Sequence, residues 1–116
     1  MLIWIMAVFV SNIVIEQGYD FNSTFVLEDT VTTNLLDLSN YTIQAQLRKT
    51  YSTSNHVDFV ALVADATKGE VVISMASTTT TNLKEGRYVY DIKGIVGNNV
   101  LKLIEGTALV RPGVTR

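Results

Sequence analysis

The chain has 116 residues, a length that fits one domain with a real core. Apolar residues make up 47% and charged residues 17%, a globular balance that excludes intrinsic disorder. The net charge is −2 and the nine Lys and Arg are scattered, which excludes a stripe for nucleic-acid phosphates; the absence of Cys excludes a disulfide framework and a thiolate metal site.

Met1 to Val10 is almost wholly apolar. It is too short for a membrane span, which takes about 20 residues, and it lacks the basic region of a signal peptide. Met6-Ala7 reads as a second start, so Met1 to Ile5 is a candidate upstream extension. Two readings stay open for residues 1–10: an apolar arm that docks on a neighbouring subunit, or a first strand packed on its own domain. Residues 11–116 read as a single β-sandwich domain.

Within that domain period two dominates. A strand at about Asn12 to Glu16 ends at Gly18, and Asp20 to Glu28 alternates Phe21, Ser23, Phe25 and Leu27 against polar neighbours. Tyr41 to Lys49 sets Tyr41, Ile43, Ala45 and Leu47 on one face and Thr42, Gln44, Gln46 and Arg48 on the other, the pattern of a half-buried strand. Val57 to Ala64 is apolar on both faces except at Asp58, so it is expected in a central or interface-covered position. Glu70 to Met75 is short and β-branched. Thr78 to Thr81 is expected to form one helical turn capped by Thr. The strands Arg87 to Val96 and Val100 to Val110 close the chain around Gly97-Asn98-Asn99, residues that accept positive φ in a hairpin. About seven strands at this spacing predict an all-β, immunoglobulin-like antiparallel sandwich.

Leu83-Lys84-Glu85-Gly86-Arg87-Tyr88-Val89-Tyr90-Asp91 carries the spacing of a tyrosine corner. Gly86 permits the tight turn, and Tyr88 enters the strand with its hydroxyl placed to bond back to upstream backbone. Tyr90 then falls on the same strand face as a large core residue.

Residues for chemistry are scarce. His56 lies in the polar stretch Ser52 to His56 and reads as a loop residue rather than a general base. Glu28, Asp37, Asp65 and Glu85 fall at turns and strand ends, where carboxylates cap or solvate. No cofactor, metal ion or small-molecule substrate is expected, and the chain is read as a non-enzyme. Exposed aromatics offer one further option, stacking on sugar rings, for which Trp4, Tyr19, Tyr41 and Tyr51 are the candidates; the alternation at Tyr41 favours the core for that ring. The exterior is charge-poor for a monomer, so part of it is expected to be covered by another protein; a Thr-, Ser- and Asn-rich surface is the alternative.

Six segments in order carry a resemblance. They are Gln17-Gly18, Asp37-Leu38 with Tyr41-Thr42, Ala45-Gln46-Leu47-Arg48, Gly86-Arg87-Tyr88 with Tyr90-Asp91, Glu105-Gly106, and the closing Val114-Thr115-Arg116. In this order the chain resembles tailed-bacteriophage virion structural proteins with an immunoglobulin-like sandwich, including the N-terminal domain of upper baseplate proteins. The resemblance implies a structural subunit of tail or baseplate, located in the virion and assembled in the host cytoplasm. Its partners would be other virion subunits in a homo- or hetero-oligomer, with neither nucleic acid nor membrane involved. Capsid decoration and a receptor- or glycan-binding module are the alternatives. Expected contact residues are Trp4, Met6, Val8 and Phe9 in the arm and Arg111 and Arg116 in the tail.

Overall fold

The computed structural model describes residues 9–28 and 36–115. Trp4, Met6, Val8 and Arg116 lie outside the described residues. The fold is all-β, with two sheets facing one core.

The larger sheet holds β1 (Phe9–Val10), β2 (Ile13–Glu16), β4 (Thr42–Arg48), β5 (Val57–Asp58), β8 (Gly86–Val96) and β9 (Asn99–Arg111). Its order is β1-β9-β8-β4-β5, with β2 also on β9. β8 and β9 form a long antiparallel hairpin closed by Gly97-Asn98, and β1 and β2 join β9 in parallel. The smaller sheet holds β3 (Phe21–Val26), β6 (Val60–Asp65) and β7 (Glu70–Met75), in the order β3-β7-β6. Alternation places Ile15, Leu47, Val71, Ile73, Ile92, Leu103 and Val110 between the sheets, each almost fully removed from water. Burial of apolar area of this kind supplies the main drive for folding.

The stretch Val57 to Ala64 does not form one central strand. Val57–Asp58 pairs with β4 in the larger sheet, whereas Val60–Asp65 pairs with β7 at the edge of the smaller one. Phe59 is the pivot. Its N–H donates to the Ala45 carbonyl at 3.0 Å, and its buried ring meets Phe21 at 5.8 Å and Tyr90 at 6.2 Å between centroids. One alternation runs through both halves, with Val57, Phe59, Ala61 and Val63 turned inward and Asp58, Val60 and Leu62 turned outward; the run reads as apolar on both faces because Val60 and Leu62 stand exposed on the outer side of β6.

The short helix α1 (Ser77–Thr80) also differs from expectation. Its N-cap is Ala76, which makes no side-chain cap bond. Instead the Ser77 N–H donates at 2.7 Å to the carboxylate of Asp20, which directly precedes β3, the strand paired with β7. Thr80 is fully buried, with its hydroxyl donating to the Tyr19 carbonyl at 2.8 Å and accepting from the Gly18 N–H at 3.1 Å. This one turn staples the β2–β3 connection to the end of β7.

Gly106 lets the N-terminal strands lie on β9. A Cβ there would come within 2.0 Å of the Ser11 carbonyl oxygen, so no side chain fits. The same carbonyl accepts from the Tyr90 hydroxyl at 2.5 Å, and the Asn12 side chain accepts from the Thr107 N–H at 3.1 Å. Glu105-Gly106 is therefore a close-approach point. The register shift in this hairpin sits elsewhere, between Ile92 and Lys93.

Candidate functional site

The start of β8 is held as a corner. Gly86 has φ of 136°, a conformation that side chains rarely adopt. Two residues on, the Tyr88 hydroxyl donates to the Lys84 carbonyl at 2.8 Å. The Lys49 ammonium stands 4.7 Å from the centre of the Tyr88 ring, a cation–π contact that ties the end of β4 to the same corner. Tyr90 is buried; burial pushes its phenol above the usual range, against the Ser11 hydrogen bond, which pulls it down. Gly86, Tyr88 and Tyr90 thus set the frame on which the two outer faces rest.

The outer face of the smaller sheet sets Val26, Val60, Leu62 and Val72 among Asn22, Thr24, Glu70 and Ser74. Its registers place Thr24, Val72 and Leu62 in one row and Asn22, Ser74 and Val60 in the next. Val60 and Leu62 are each 59% exposed and Val26 is 56% exposed. Among the described residues neither β3 nor β6 has a strand partner on its outer side. β6 reads Val-Ala-Leu-Val-Ala-Asp, without the Lys or Pro that natural edges use to discourage pairing; the one irregularity is a register shift at Val63/Asp65.

The outer face of the larger sheet is polar around β4 and the middle of β8, whereas Val10, Val14, Val100 and Leu109 are exposed elsewhere on β1, β2 and β9. Gln44, Gln46 and Arg48 of β4 lie beside Lys93, Asp91 and Val89 of β8 in that register. Two adjoining depressions share Gln46, Arg48 and Asp91; one is completed by Gln44 and Lys93, the other by Tyr51, Val89 and Tyr90. Arg48 anchors the loop that carries Tyr51. Its guanidinium donates to the Thr53 carbonyl at 2.6 Å, the Ser54 carbonyl at 3.2 Å and the Gln46 side-chain oxygen at 3.0 Å. Tyr51 is 75% exposed above this groove. On β9, the Lys102 ammonium lies 3.2 Å from Glu105 and 3.7 Å from Asp91. The Glu105 hydrogen bond, with the Glu105, Asp91 and Tyr51 charges behind it, holds Lys102 above its ordinary value despite slight burial.

The residues singled out in the sequence disperse over the molecule. Phe9 is half-buried and packs against the domain's own core, with β1 paired to Ile104 and Glu105. Arg111 is half exposed, and its guanidinium is engaged by Glu16 on the adjacent strand. Tyr41 packs against the core, and burial raises its phenol above the usual range. His56 pairs with Asp58 at 3.0 Å on the surface. Among the described residues no group of three or more His, Cys, Asp or Glu side chains gathers at metal-binding range. The sequence reading missed Val60 and Leu62 as exposed positions and Gln46, Arg48 and Asp91 as neighbours. The polar alternation of β4 was the available signal for the second group.

No protein-family model matches the chain, and no curated protein matches it. Among solved structures the chain is similar to Listeria monocytogenes InlP, with a TM-score of 0.51 and 13% identity over 87% of this chain. It is also aligned with a family 123 glycoside hydrolase from Clostridium perfringens, at a TM-score of 0.45 and 16% identity over 92% of this chain. The chain spans 26% of the first of these proteins and 23% of the second. The likeness to InlP is one of fold alone.

Proposed function

We propose that this chain is a non-enzymatic structural subunit of a bacteriophage virion, a tail or baseplate adaptor that acts through protein–protein contacts. The observation that carries the contact reading is the outer face of the smaller sheet. Val26, Val60 and Leu62 stand more than half exposed around Val72, beside an edge strand that has no partner strand on its outer side among the described residues. Large apolar side chains exposed together on one sheet face favour contact with another protein. An open edge adds main-chain hydrogen bonds to it without requiring any special side chain. The virion setting rests on the ordered motifs from Gln17-Gly18 to Val114-Thr115-Arg116. Capsid decoration would use the same contacts at another place in the particle.

Light scattering on the full chain over a range of protein concentrations tests the reading. Self-association that Leu62→Lys abolishes is the expected result. A monomer at every concentration, with solubility indifferent to Leu62→Lys, would overturn it.

A further inference from the structure

We propose that the groove beneath Tyr51, on the outer face of the larger sheet, is a binding site for a neutral oligosaccharide. The site lies on the opposite side of the sandwich from Val26, Val60 and Leu62 and does not depend on them. Its floor mixes donors and acceptors at short spacing. Gln44 and Gln46 each carry an amide that both donates and accepts, Asp91 accepts, and Lys93 donates. The oxygen of Gln46 already accepts from Arg48 at 3.0 Å, which fixes the amide orientation and turns its N–H groups outward as donors. A carpet of alternating donors and acceptors matches the hydroxyl groups of a sugar, each of which donates and accepts in turn. It does not match an apolar ligand, whose pocket would be lined mainly by hydrophobic side chains.

Charge points the same way. Lys102 is neutralised by Glu105 and Asp91, and the Arg48 guanidinium is occupied by two loop carbonyls and the Gln46 oxygen. Few charges are left over to recruit a strongly anionic or cationic partner. The remaining element is the aromatic plate. Tyr51 is held over one end of the floor by a loop whose carbonyls are tied to Arg48, yet three quarters of its surface faces water. A ring that is exposed but anchored presents an apolar face at small entropic cost, which suits the C–H face of a pyranose. Of the two tyrosines that line this groove, Tyr90 is buried and Tyr51 is the exposed one.

The experiment is a titration of the isotope-labelled full chain, followed by amide chemical shifts. The probes are maltohexaose, cellohexaose, chitohexaose and mannohexaose, each taken to millimolar concentration. Saturable shifts at Gln46, Tyr51 and Lys93 are expected with at least one probe. Tyr51→Ala should weaken that binding about tenfold, and Tyr51→Phe, which keeps the ring, should retain it. Because Tyr51 is exposed, neither change should alter the rest of the spectrum. Absence of saturable shifts with all four probes would overturn the proposal. So would binding of equal strength in Tyr51→Ala.

Discussion

The two sheets of this domain meet water differently. The larger one gathers Gln44, Gln46, Arg48, Asp91, Lys93, Lys102 and Glu105 over the middle of its outer face, with Val10, Val14, Val100 and Leu109 exposed around them, and the short strands β1, β2 and β5 cover parts of its edges. The smaller one shows Val26, Val60 and Leu62 on its outer face and has no strand beyond β3 or β6 among the described residues. Both share one core, so stability does not demand the difference. A polar sheet face is already complete in water. Exposed Val26, Val60 and Leu62 beside open edges gain from another surface, which is why the smaller sheet is proposed for assembly and the larger one for a soluble ligand.

Four substitutions sharpen or break that contrast. The largest effect is expected from Phe59→Ala. Phe59 is buried at the point where the chain passes from one sheet to the other, and its loss should cost about 3–5 kcal/mol in urea unfolding. A cost near 1 kcal/mol would mean that the sheets are coupled elsewhere. Gly106→Ala comes next. The added Cβ would collide with the Ser11 carbonyl, and a penalty of about 1–3 kcal/mol is expected, with faster amide exchange concentrated at Ile13 to Glu16. Uniform exchange would show that β2 is not separately held.

Tyr88→Phe removes one hydroxyl and its bond to the Lys84 carbonyl. A loss of about 1 kcal/mol in chemical unfolding is expected, with the Lys49 contact to the ring preserved. Last, Leu62→Lys should leave monomer stability within about 0.5 kcal/mol, because the position faces outward on an edge strand. If the same change lowered stability by several kcal/mol, Leu62 would be a core residue and the contrast between the two faces would collapse.

Alkaline unfolding offers an independent check on the frame. Burial raises the Tyr90 and Tyr41 phenols above the ordinary value of 10.0, whereas in the unfolded chain both ionise at that value. The unfolded state therefore loses these protons first. The stability they contribute is whole below pH 10 and declines as pH rises beyond it. Tyr90→Phe should make that decline shallower in unfolding measured across alkaline pH.

Strand positions were legible because burial on one face leaves a period of two in the sequence. β4 shows this best: Ile43, Ala45 and Leu47 are buried and Thr42 and Gln44 are exposed, as the alternation requires. The hairpin at Gly97-Asn98 and the spacing from Leu83 to Tyr88 were readable for the same reason, since local backbone geometry selects their residues. The arrangement of β6 was not readable in this way. An apolar run records that side chains avoid water somewhere, and it does not distinguish a central strand from one that changes sheets at Phe59 and leaves Val60 and Leu62 outside. The cap of α1 was equally hidden, because its acceptor, Asp20, is 57 residues away in the chain.

By itself, then, the amino-acid sequence determined an all-β chain, most of its strand positions, its hairpin and the residues of its core. Each of these follows from local conformational preference and from alternation, which act over a few residues. Only the tertiary structure decided which strands form edges, that Phe59 joins the sheets, and that Tyr51, Gln46 and Asp91 face one groove. Those outcomes depend on contacts between distant segments, and no local pattern of residue types encodes which segment will lie beside which.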